Sequence, residues 1–140
     1  MAGHKGKWAE NLMEAYWASL GKHCTVHRFT DSADVRGLNR GKKVGAYPQP
    51  ADYLVTHAGH TFLAEVKATE NQKRFSLSAI RTVQMAAAKK MITARGDYYF
   101  FVCILYGPVY RIPASFVLAY TGSSIAFDTI PQFLWKAQDQ

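Results

Sequence analysis

At 140 residues, 49% hydrophobic and 14% aromatic, the chain can build one domain (1–140) around its own core, without repeats or low-complexity segments. No apolar run is long enough to cross a bilayer, no signal-peptide core follows Met1–Lys7, and Cys24 and Cys103 fit the reduced thiols of a cytoplasmic protein without zinc-ligand spacing. The net charge of +7 points to a polyanionic partner, with nucleic acid ahead of a membrane surface.

In chain order, residues 7–21 carry Trp8, Leu12, Ala15, Tyr16 and Ser19 at helical spacing, with Gly21 as the stop. Glu10, Glu14 and Trp17 form a neighbouring line; taken alone, either glutamate reads as part of a solvated helix face. Cys24–Phe29 alternates as a strand. A basic, glycine-bearing loop at about 34–49 then carries Arg36, Arg40, Lys42 and Lys43, suited to following a phosphate backbone without reading bases.

The segment Pro50–Lys67 reads as two strands joined at Ala58-Gly59. A two-residue loop pairs His57 with His60 and puts Asp52 across from Glu65, with Cβ atoms about 5 Å apart. Two opposed carboxylates call for a cation between them, and a divalent ion with oxygen ligands suits them. Glu65 and Lys67 share a strand face. Ala at the first loop position disfavours positive φ, so a three-residue loop is the alternative, and a one-residue slip would separate Asp52 from Glu65.

Lys73 and Arg74 extend the basic surface. A helix is expected from Ser76 or Ser78 to about Ala94, buried through Leu77, Ile80, Val83, Ala87 and Met91, with Ser78, Arg81 and Gln84 on the adjacent ridge. Gln84 borders the apolar stripe and needs hydrogen-bond partners there: a strand, or a water or metal ligand. Tyr98–Leu105 reads as a central buried strand, Gly107-Pro108 as a turn, Val109–Ile112 as a returning strand and Pro113 as the start of a helix to Tyr120. The apolar tail with Phe127, Ile130, Phe133, Leu134 and Trp135 should pack on the same core or on a second subunit. The whole is an α/β or α+β domain around a mixed sheet flanked by helices.

Asp52, Glu65 and Lys67 suit phosphodiester hydrolysis: two carboxylates to hold a metal that activates water, and a cation where negative charge develops. Pro50-Ala51-Asp52 followed by Glu65-Val66-Lys67 resembles the PD-(D/E)XK nuclease signature. Four further segments resemble RecU-like Holliday junction resolvases in order: Gly6–Glu10, Arg28–Ala33, Phe75–Gln84 and Tyr110–Ala114, together spanning roughly residues 6 to 120. The resemblance implies a restriction-endonuclease-like core and a Mg²⁺-dependent endonuclease, with Mn²⁺ able to substitute, that cuts four-way DNA junctions as a homodimer. By the same resemblance, Asp52, Glu65 and the Val66 backbone carbonyl would hold the metal with Glu10 beside them, Lys67 would be the catalytic lysine, and Gln84 would sit at the edge. Arg28, Arg36, Arg40, Lys42, Lys43, Lys73, Arg74, Ser78 and Arg81 are the expected DNA contacts. The short chain resembles a phage version of the family, at work in the cytoplasm of a bacterial or infected cell at the nucleoid. Residues 34–49 take the place of that family's junction-entering stalk and are shorter than it. Two other readings stay open: a general PD-(D/E)XK endonuclease on other branched or duplex DNA, and a DNA-binding module that does not cut.

Overall fold

Helix α1 (Ala2–Ala18) opens the computed structural model, which describes residues 2–29 and 49–137. The basic side chains Arg36, Arg40, Lys42 and Lys43 lie outside the described residues, as does most of the expected stalk. Among the described residues six strands form one mixed sheet in the order β1 (Cys24–Arg28), β2 (Tyr53–His57), β3 (His60–Thr69), β5 (Tyr98–Ile104), β6 (Val109–Pro113) and β8 (Leu134–Lys136). The β3–β5 pair is parallel and its crossover carries α2 (Thr82–Thr93); the other neighbours are antiparallel. A separate ribbon pairs β4 (Arg74–Ser76) with β7 (Ser124–Ala126), and α3 (Ala114–Ala119) packs beside α2. This is the expected mixed sheet flanked by helices.

Ala58 and Gly59 form the two-residue loop, both with positive φ (50° and 86°), and His57 pairs with His60. That loop twists in the sense of the strands it joins, which outweighs the cost of a left-handed alanine. The three-residue alternative is therefore set aside, and the strand register is the expected one.

The two sheet faces bury different material. Toward α1 lie Tyr53, Val55, Phe62, Ala64, Phe101 and Cys103. Burial pushes the Cys103 thiol up to about 12, as befits a packing residue. The helix meets this face through Ala9, Met13 and Trp17, one residue out of phase with the expected stripe; Trp8, Leu12 and Tyr16 are half-buried and Ala15 is exposed. Both stripes are apolar, and Trp17 selects between them by packing edge-on to Tyr53 and Phe101.

The opposite face, toward α2 and α3, buries Leu63, Tyr98, Phe100, Val102 and Ile112, and the tail adds Phe127 and Ile130. Trp135 crosses to the α1 face against Phe101, so much of the apolar tail serves the chain's own core.

Helix α2 begins at Thr82, later than the serines suggested. Residues 74–76 are drawn into the ribbon with β7 and Leu77–Ala79 form a single 3-10 turn. Consequently Ser78 is not on the helix. The buried line of α2 runs through Gln84 and Ala88, and Val83 is 46% exposed. Among the described residues no helix is long and apolar enough to cross a membrane.

Candidate active site

The site forms where β2 and β3 part. Tyr53, the first residue of β2, pairs with Ala64, and one step further in that register Asp52 faces Glu65. Asp52 has left the ladder but is tied on both sides. Its carbonyl accepts the Phe29 N–H at 3.0 Å, and its Oδ2 accepts the Val66 N–H at 2.8 Å. In an extended strand a residue's N–H and C=O point to the same edge, so the Val66 carbonyl also faces the gap that β2 leaves.

Glu65 and Lys67 project from β3 toward α2. Glu65 is 3% exposed and Gln84, on the first turn of α2, is 6% exposed; these are the buried polar residues among those described. The Gln84 amide joins the group. Its Nε2 donates to Glu65 Oε2 at 2.5 Å, and its Oε1 accepts from Lys67 Nζ at 2.8 Å and from the Arg81 N–H at 2.9 Å. Only one amide orientation satisfies all three, because Lys67 and the Arg81 amide can only donate and an ionised Glu65 can only accept. Lys67 Nζ lies 3.4 Å from Glu65 Oε2. One side chain thus caps α2, fixes the lysine and holds the glutamate. Of the two environments open to Gln84, it takes up the strand partners.

Burial, and then the nearby charge of Asp52, push the Glu65 carboxyl up to about 7 against the pull of Lys67. Burial also raises Asp52, opposed first by the Val66 N–H and reinforced by Glu10. The second oxygen of each, Asp52 Oδ1 and Glu65 Oε1, has no hydrogen-bond partner among the described residues. Two hard oxygen donors that oppose each other's ionisation fit a divalent cation of the Mg²⁺ kind, which binds through one or two carboxylates and keeps waters for a substrate phosphate. Among the described residues no three acidic, histidine or cysteine side chains converge, and a cation in this gap would meet this pair and backbone oxygen.

Glu10 lines the same cleft of about 290 Å³, together with Arg28, Asp52, Glu65, Arg81 and Gln84. Its carboxylate, however, is held by Arg28 at 2.5 Å, and the other Arg28 nitrogen reaches Glu14 at 3.1 Å. Tyr53 also donates its hydroxyl to Glu14. Arg28, expected on DNA, is thus engaged by two glutamates from α1, and both glutamates are more than solvated helix face.

Arg81 is exposed at the cleft. Ser78 is exposed and bonded to Ser76 at 2.8 Å. Lys73 and Arg74 are exposed but line a different hollow beside the ribbon, where Arg74 bonds Ser124 at 2.7 Å. A roomier groove of about 490 Å³ runs beside the cleft along α2 past Pro50, Val83 and Lys90; its lining holds no carboxylate, whereas the smaller hollow holds Glu10, Asp52 and Glu65. Tyr98, read in the sequence as strand filler, donates its hydroxyl to the Pro50 carbonyl at 2.7 Å. The signal for it was general: a buried tyrosine needs a partner for its O–H.

No protein-family model and no curated protein matches this sequence. Solved structures do. The chain resembles Hjc of Archaeoglobus fulgidus, a Holliday junction resolvase from an archaeal hyperthermophile, with a TM-score of 0.61 and 14% sequence identity over 91% of this chain and 93% of that one. At that identity the likeness is one of architecture: the helix-flanked mixed sheet is similar to the fold of that archaeal protein.

Proposed function

We propose that the chain is a metal-dependent, structure-selective endodeoxyribonuclease that resolves four-way DNA junctions by paired symmetric nicks. The observation that carries this reading is the convergence of Asp52, Glu65, Lys67 and Gln84 where β2 and β3 part, with Gln84 bonded to both Lys67 and Glu65. The fold shared with a Holliday junction resolvase supports the choice of substrate. The net charge of +7 supports a DNA partner. The ordered RecU-like motifs favour that branch of PD-(D/E)XK enzymes, and a phage-encoded, cytoplasmic, nucleoid-associated form belongs to the same reading.

Asp52, Glu65 and the Val66 carbonyl would hold Mg²⁺ or Mn²⁺, which supplies an activated water and charge stabilisation at the scissile phosphate. Lys67, its ammonium held by Gln84, would offset the negative charge that builds on the phosphate. Gln84 orients Lys67 and Glu65. Arg28 holds Glu10 at the rim, and Arg81 is open to a phosphate at the mouth. A junction presents two symmetric scissile phosphates, which a two-fold dimer would meet with two sites.

The test is cleavage of a labelled four-way junction beside linear duplex and a flap, with Mg²⁺ and with chelator. Paired symmetric nicks on the junction, lost on chelation, are expected. Cutting of every substrate would shift the function to a general endonuclease. Junction binding without any cutting would favour the binding module.

A further inference from the structure

Asp52 sits one residue ahead of β2, outside the strand ladder, yet its carboxylate must be held across from Glu65 for the pair to act together. Two of its restraints come from neighbouring backbone, the Phe29 and Val66 N–H groups. A third comes from the far side of β3. Tyr98, the first residue of β5, pairs with Leu63 on β3, and the next residue on its face, Phe100, pairs with Glu65. The Tyr98 ring is 1% exposed and packs tilted against Phe100 at 5.3 Å. Its hydroxyl reaches the carbonyl of Pro50, two residues before Asp52. Pro50 has no N–H, so its carbonyl is the hydrogen-bonding group its backbone offers. Burial, followed by the charges of Glu65 and Asp52, pushes the phenol far above its ordinary value, so it remains a donor at every working pH.

We propose that Tyr98 is a positioning residue for the cation site: through the Pro50 carbonyl it fixes the backbone approach that sets the open oxygen of Asp52 against Glu65. The proposal rests on reading the cleft as a cation site. Groups that orient metal ligands without touching the metal typically carry a 10- to 100-fold effect on affinity when removed.

The test is Mn²⁺ titration of the full chain without DNA, following free Mn²⁺ by electron paramagnetic resonance. Tyr98→Phe keeps the ring and removes the hydroxyl alone. The control is Tyr120→Phe, since Tyr120 makes the same kind of bond, to the Ser124 carbonyl at 2.7 Å, away from the cleft. Melting in chelator verifies that both variants are folded and matches their losses of stability. The expected result is Mn²⁺ affinity weakened about tenfold or more by Tyr98→Phe and unchanged by Tyr120→Phe. Adding Tyr98→Phe to Asp52→Asn should bring no further loss, because the effect passes through Asp52.

Wild-type affinity in Tyr98→Phe would overturn the positioning role and leave the functional reading standing. So would a full additional loss in the Asp52→Asn background. Absence of Mn²⁺ binding to the wild-type chain, with no change on Asp52→Asn, would overturn the functional reading and this proposal with it.

Discussion

The two faces of the sheet solve opposite problems. Toward α1 the strands present Phe62, Phe101, Tyr53 and Val55, and Trp17 and Trp135 close over them in edge-to-face contacts. Toward α2 the same β3 that buries Phe62 and Ala64 turns Glu65 and Lys67 inward. A buried carboxylate is costly unless it is paired and hydrogen-bonded, and here Gln84 and Lys67 do both. One face therefore holds the sheet rigid while the other holds a charge in tension. A strand's two-residue period lets one segment serve both ends at once.

Breaking the α1 face should have the largest effect on stability. Phe101 is fully buried among Trp17, Phe62 and Trp135, so Phe101→Ala should lower the free energy of unfolding by about 3–5 kcal/mol in a denaturant titration. A loss under 1 kcal/mol would mean that the face is not the scaffold described.

The α2 face should show itself through pH. Glu65 is raised from its ordinary 4.5 to about 7, so between those values the folded state binds a proton that the unfolded chain has released. Stability in cation-free buffer should thus fall as pH rises through that window, with a slope contribution of up to about 1.4 kcal/mol per pH unit. Glu65→Gln keeps an acceptor for Gln84 and should flatten the profile. An unchanged slope in that variant would place the titration elsewhere.

The smallest effect lies at the hairpin tip, away from both faces. Ala58 has a φ of 50°, so Ala58→Asn, which favours that conformation ahead of Gly59, should raise stability by about 0.5–1 kcal/mol and the melting temperature by about 2–4 °C.

What the sequence made legible was local. The loop at Ala58-Gly59 set the register, and the register set Asp52 against Glu65. The start of α2 was misread because Ser76 and Ser78 resemble caps, whereas Phe75 is claimed by Ile125 from β7, fifty residues away. The phase of α1 was misread because two apolar stripes run side by side, and Trp17 is chosen only by the sheet beneath it. Nothing near Arg28 in the sequence announced that Glu10 and Glu14 would pair with it. Tyr98 was hidden in an apolar run for the same reason: its partner, Pro50, lies on another element. Chemistry written within one hairpin could be read directly; groups that meet across elements could not.

If Asp52 and Glu65 are the seat of the proposed chemistry, Asp52→Asn should separate cutting from binding. Single-turnover cleavage of a labelled four-way junction in Mg²⁺ should be followed alongside binding of the same junction in chelator. Cutting should fall at least about a hundredfold, with binding within a few-fold of wild type. Cutting at the wild-type rate would contradict it and move the active site away from the parting of β2 and β3.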